Sequence, residues 1–89
     1  MITREVAIRN KLGLHARAAA KLVHTAARFK SDVKICKGAE EVDGKSILGI
    51  LLLAASNGSV ITITANGDDE AAALESIQHL IESKFDEVE

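Results

Sequence analysis

The chain is 89 residues long, 47% hydrophobic and 27% charged, with a formal net charge of −2. That is enough for one modest hydrophobic core, and the composition excludes a disordered segment. Phe29 and Phe85 are the only aromatic residues, so the core is aliphatic and the stacking surface of a nucleic-acid binder is missing.

Residues 2–9 alternate, with Val6 and Ile8 on one face and Glu5, Ala7 and Arg9 on the other, as in a half-buried strand. Asn10-Lys11-Leu12-Gly13 breaks the pattern as a turn. Over residues 16–29 the period changes. Ala19, Leu22, Val23, Ala26 and Phe29 share one helical face, and the alanines favour a helix. Residues 32–37 read as a second strand with Val33 and Ile35 inward, and residues 40–43 as a short third strand anchored by Val42. Asp43-Gly44 is a turn signal. Residues 46–54 form a short segment that is apolar almost all round and ends at Asn57-Gly58. Residues 60–65 alternate, Ile61, Ile63 and Ala65 opposing Val60, Thr62 and Thr64. Gly67-Asp68-Asp69-Glu70 reads as a turn glycine, a capping aspartate and a first-turn acid, opening a helix to about Lys84 with Leu74, Ile77 and Ile81 inward. The order β-α-β-β-α-β-α predicts one α+β domain over residues 1–89. Its sheet is largely antiparallel and four-stranded, with the helices on one face and solvent on the other.

Cys36 is the only cysteine, so no intrachain disulfide forms, and it reads as a small half-buried side chain. His15, His24 and His79 are far apart, and no Cys/His pair has zinc spacing, so neither a metal nor a cofactor is expected. The first residues lack a basic-then-apolar leader, and the longest apolar run, residues 47–55, is too short to span a bilayer. A cytoplasmic protein without membrane insertion is the expectation.

Gly13-Leu14-His15-Ala16-Arg17 carries the chemistry. A glycine turns the chain and a long helix begins, with His15 at or next to its N-cap. The first N–H groups of a helix lack intrahelical partners and, with the helix dipole, favour an anion. A neutral imidazole there has a lone pair and can act as a nucleophile. A phosphoryl group on the ring would meet the N–H groups of Ala16, Arg17 and Ala18, with the Arg17 side chain adding a charge-assisted contact. The alternative is a surface histidine followed by a solvated arginine. His24 and His79 lie inside helices without a cap and read as solvated surface. Ser46 reads as the N-cap of the apolar segment, a place that tolerates added phosphate. If Ile50 and Leu53 face the sheet, Ile47, Leu48 and Leu51 face away, either packing on another helix or forming an exposed docking patch.

Taken together, Gly13-Leu14-His15-Ala16-Arg17 with its alanine-rich helix, Lys45-Ser46-Ile47-Leu48-Gly49, and the Ala65-Asn66-Gly67-Asp68 turn resemble HPr, the histidine-containing phosphocarrier family of the phosphoenolpyruvate-dependent sugar phosphotransferase system. The resemblance runs essentially end to end. It implies an open-faced β-sandwich and a carrier that is not itself an enzyme. His15 would be phosphorylated on its pros nitrogen by enzyme I and would pass the group to enzyme IIA proteins, Arg17 stabilising the phosphohistidine. Ser46 would be the target of an HPr kinase/phosphorylase where one exists. Ala16, Ala20, Ile47, Leu48 and Leu51 would form the docking surface of a monomer. One departure stands out: Ala18 replaces the proline usual after the arginine. Two rival readings are a regulatory, nitrogen-type phosphotransferase carrier not tied to sugar uptake, and a small ligand-binding α/β regulatory module, which would need no histidine at the helix cap.

Overall fold

The computed structural model describes residues 1–86. The strands β1 (Ile2–Ala7), β2 (Asp32–Lys37), β3 (Glu40–Asp43) and β4 (Val60–Asn66) form one antiparallel sheet in the order β1-β4-β2-β3. Alternation decides which face is buried. Val6, Ile8, Val33, Ile35, Ile61, Ile63 and Ala65 point to the helices. On the other face Thr3 meets Thr64 and Glu5 meets Thr62, the two threonine hydroxyls 3.3 Å apart. β4 pairs on both sides, so β1 and β3 are the edges.

Helices α1 (Ala16–Ala27), α2 (Ile47–Leu53) and α3 (Glu70–Glu82) cover the buried face. α1 contributes Ala18, Ala19, Leu22 and Ala26, while Val23 and Phe29 are only half-buried at the margin of the core. α3 contributes Ala73, Leu74, Ile77 and Ile81. Burying each large aliphatic side chain is worth about 1.5–3 kcal/mol. This is the α+β open-faced sandwich that the pattern predicts, with the strands in the expected places.

The element ends differ in informative ways. β1 stops at Ala7, although Ile8 still exchanges backbone bonds with Ser59 and Gly58 at 2.8 Å. α3 ends at Glu82 rather than near Lys84; the chain then makes a turn over Lys84–Asp86 with left-handed dihedrals that swings Phe85 into the core. Asp69 occupies the N-cap of α3 but makes no side-chain cap bond there. Its carboxylate turns outward instead. It accepts from the N–H groups of Lys30 and Ser31, each at 2.9 Å, and from the Ser31 hydroxyl. The loop after α1 is thereby clamped to the loop after β4. Gly67 allows the approach, because a Cβ there would lie 2.5 Å from the Ser31 Oγ.

Cys36 is half-buried, as expected, and its thiol donates to Glu41 at 3.5 Å. Burial first, then the Glu41 carboxylate, push that thiol up from its ordinary value.

The clamp makes a pH prediction. The Ser31 hydroxyl, followed by the Lys30 N–H, holds the Asp69 carboxyl down at about 2, against an ordinary 3.8. A depressed carboxyl stabilises the fold above its unfolded-state value and loses that contribution as pH falls through the folded-state value. Asp69→Asn is therefore expected to lower the urea midpoint at pH 7. The gap to the parent protein is expected to shrink from about pH 4 to about pH 2. Parallel urea titrations across that range check it.

Candidate functional site

The site is built where β1 hands over to α1. Residues 10–13 form a turn closed by the Gly13 N–H donating to the Asn10 carbonyl at 3.1 Å. Gly13 sits at φ +65°, and a Cβ there would lie 2.5 Å from the Ala55 carbonyl oxygen and 2.8 Å from the Ser56 Cα. Only glycine lets these two backbones touch. The next N–H, that of Leu14, donates to the same Ala55 carbonyl at 2.8 Å, and the Leu14 side chain is buried.

His15 follows as the N-cap of α1, with extended backbone at φ −75° and ψ 179°. Its carbonyl accepts the first intrahelical bond, from Ala19 at 2.8 Å. Its ring caps too: Nδ1 accepts from the Arg17 N–H at 3.3 Å. An accepting Nδ1 carries a lone pair, which places the ring proton of the neutral form on Nε2. The nitrogen with the lone pair therefore faces the helix N-terminus, where the N–H groups of Ala16, Arg17 and Ala18 all precede the first intrahelical bond.

The predicted cradle residues divide by environment. Ala16 and Arg17 are exposed, and the Arg17 guanidinium has no partner among the described residues. Ala18 is fully buried by its methyl group, so only its backbone bears on the site. Ala20 is exposed and lines a shallow cleft of about 460 Å³ with Lys21, His24 and Leu80, on the flank of α1 toward α3. His24 and His79 are exposed on their helices, as expected. Among the described residues no cluster of His, Cys, Asp or Glu side chains is arranged to hold a metal.

Ser46 is the N-cap of α2, its hydroxyl accepting from the Gly49 N–H at 3.1 Å. Ile50 and Leu53 are buried, whereas Ile47, Leu48 and Leu51 are 45%, 64% and 37% exposed. Of the two readings of this helix, the exposed stripe holds. The stripe also takes in Leu52 at 68% exposure, four residues after Leu48, a spacing that would have found it in the sequence. Leu12, 67% exposed in the turn ahead of His15, and the buried Asn10 were equally missed. An apolar residue at a turn tip and a polar one beneath it run against the usual pattern.

An open-faced sheet with a histidine at the N-cap of its first helix is the arrangement of a phosphoryl-carrier class of protein, and the comparisons with known proteins place the chain there. The family model described as "PTS HPr component phosphorylation site" matches residues 2–83. The chain belongs to this family, the HPr phosphocarriers of the phosphotransferase system. It is 46% identical over 87 residues to phosphocarrier protein HPr of Xylella fastidiosa (strain Temecula1), covering 98% of both chains. It is 44% identical over 86 residues to phosphocarrier protein NPr of Shewanella violacea, covering 97% of this chain and 94% of that protein. The crystal structure of HPr from Thermoanaerobacter tengcongensis superposes with a TM-score of 0.96 at 45% identity, covering 100% of both chains. No helix among the described residues is long and apolar enough to cross a membrane.

The C-cap of α2 carries strain. Ala54 lies in the left-handed region, at φ 53° and ψ 39°. That conformation costs a non-glycine residue about 1–2 kcal/mol, while glycine adds about 0.5–1 kcal/mol of unfolded-state entropy. Ala54→Gly is expected to raise stability by ~0.5–1 kcal/mol. Urea unfolding of the two proteins measures it.

Proposed function

We propose that this chain accepts a phosphoryl group from phospho-enzyme I on Nδ1 of His15 and passes it to enzyme IIA components of sugar transport. The observation that carries the reading is the hydrogen bond from the Arg17 N–H to Nδ1. The Nδ1 lone pair forms the new N–P bond as the donor's bond to phosphorus breaks. The phosphoryl oxygens then take over as acceptors for the first N–H groups of α1, and the free Arg17 guanidinium adds a charge-assisted contact. Onward transfer reverses the exchange. The exposed stripe Ile47, Leu48, Leu51 and Leu52, with Ala16 and Ala20, serves as the docking surface for both partners. The carrier works as a monomer whose stripe is reserved for transient contacts; self-association through it is the competing outcome.

A second reading has its own support. The relative from Shewanella violacea is an NPr, and Ala18 departs from the proline usual in the family pattern, a change that bears on partner tuning. A regulatory, nitrogen-type output would use the same chemistry at His15 with a different acceptor. The identity of the IIA protein that discharges the phosphorylated chain decides between them.

Incubation with phosphoenolpyruvate and enzyme I is expected to add one phosphate that is lost in acid. His15→Ala is expected to abolish the gain while the far-UV circular dichroism stays unchanged; intact mass reads both. A His15→Ala protein that still gains acid-labile phosphate would remove the assignment.

Ser46 is proposed as a regulatory site for an HPr kinase/phosphorylase, because charge added there would border the docking stripe. Ser46→Asp is expected to slow acceptance from enzyme I about tenfold, the effect of ~1.4 kcal/mol lost at the interface. Initial rates at sub-saturating carrier test this, and an unchanged rate counts against regulation at this residue.

A further inference from the structure

The turn that delivers His15 has a polar side chain buried at its base. Asn10 is fully buried, and its Nδ2 donates to the Gly13 carbonyl at 2.7 Å. That carbonyl belongs to the same peptide unit as the Leu14 N–H, which donates to Ala55 at 2.8 Å. The Gly13–Leu14 peptide plane is therefore held at both ends, by a side chain on one edge and by the α2–β4 connection on the other. A turn of this length needs only its backbone bond, here from the Gly13 N–H to the Asn10 carbonyl. The side-chain bond is an additional constraint. It acts on the peptide that leads, through Leu14, directly into His15 at the cap of α1.

We propose that Asn10 is a positioning residue for phosphoryl transfer. By fixing the Gly13–Leu14 peptide it keeps Nδ1 of His15 aimed at the Arg17 N–H and at the incoming phosphorus. This rests on the reading of His15 as the phosphoryl acceptor. The residue type follows from the geometry. The group facing Asn10 is a carbonyl, so a donor is required, and a short neutral amide supplies one in a site closed to water. An aspartate has the same shape, but as a carboxylate it offers only acceptors.

The test compares the parent protein with Asn10→Asp and Asn10→Ala, well below the lowest melting temperature. Initial rates of phosphoryl transfer from phosphoenolpyruvate through enzyme I are measured against carrier concentration. The saturating rate is expected to fall about 10- to 100-fold, as for a misplaced reacting group. The half-saturating concentration is expected to stay within about twofold, because the docking stripe is untouched. The ¹⁵N shifts of the His15 ring are expected to move from a single Nε2–H tautomer toward the average of the two tautomers. An unchanged saturating rate with unchanged ring shifts overturns the proposal, whatever the loss in melting temperature. So does a loss confined to the half-saturating concentration. If both variants fail to fold, the parent protein still decides: its Asn10 side-chain amide is expected to exchange with solvent far more slowly than those of the exposed Asn57 and Asn66. Equal exchange overturns the proposal. A parent protein that accepts no phosphoryl group defeats the acceptor reading instead, and the ring shifts and amide exchange then judge the hold of Asn10 on the loop by themselves.

Discussion

The contact between the Gly13–Leu14 backbone and Ala55 is the constraint on which the rest of the structure turns. It joins the β1–α1 connection to the α2–β4 connection, so α1 begins and α2 ends on one shared point. The Ala55 carbonyl takes the Leu14 N–H at 2.8 Å, and a side chain at residue 13 would drive the two loops apart. With the loops joined, Leu14 is drawn into the core, His15 is left at the helix cap, and α2 lies alongside α1 with its apolar stripe outward. The strained Ala54 sits next to this contact, where the chain must leave α2 and enter β4 within a few residues.

α1 is held at both ends by different means. At its start the hold is backbone to backbone. Beyond its end, Asp69 reaches from the start of α3 to the N–H groups of Lys30 and Ser31. A helix of 12 residues is about 18 Å long. Fixing both ends leaves it little freedom to rock, which suits a site whose chemistry depends on where the first turn points.

Much of this was legible in the sequence. Val33, Ile35, Ile61 and Ile63 alternate, Leu74, Ile77 and Ile81 recur at helical spacing, and each pattern is local, so the elements and the buried faces could be read without a structure. His15 and Ser46 were legible for a similar reason, since a cap is defined by the few residues beside it. Asp69 does stand at the N-cap, as the sequence expects of an aspartate there, but its side chain bonds elsewhere. Its partners lie 38 and 39 residues away in the chain, and no periodicity encodes them. The turn over Lys84–Asp86 escaped for another reason: nothing in Ser83-Lys84-Phe85 announces a left-handed backbone, and the burial of Phe85 prevails over local preference. Asn10 was read as a turn residue, which it is, but the burial of its side chain depends on Gly13 meeting Ala55.

The capping role of His15 has a consequence for the carrier cycle. In the unloaded protein the imidazole itself satisfies the Arg17 N–H. In the proposed loaded state the cargo satisfies it instead, so the Arg17 N–H has an acceptor in both conditions. The same peptide dipole that orients the empty ring would hold the proposed cargo. In that proposed state a chain with a net charge of −2 would gain roughly two further negative charges at a single point, close to a doubling of its total. On the proposed reading, a donor and an acceptor would tell an empty carrier from a full one by the charge at that point, while meeting the same apolar surface both times.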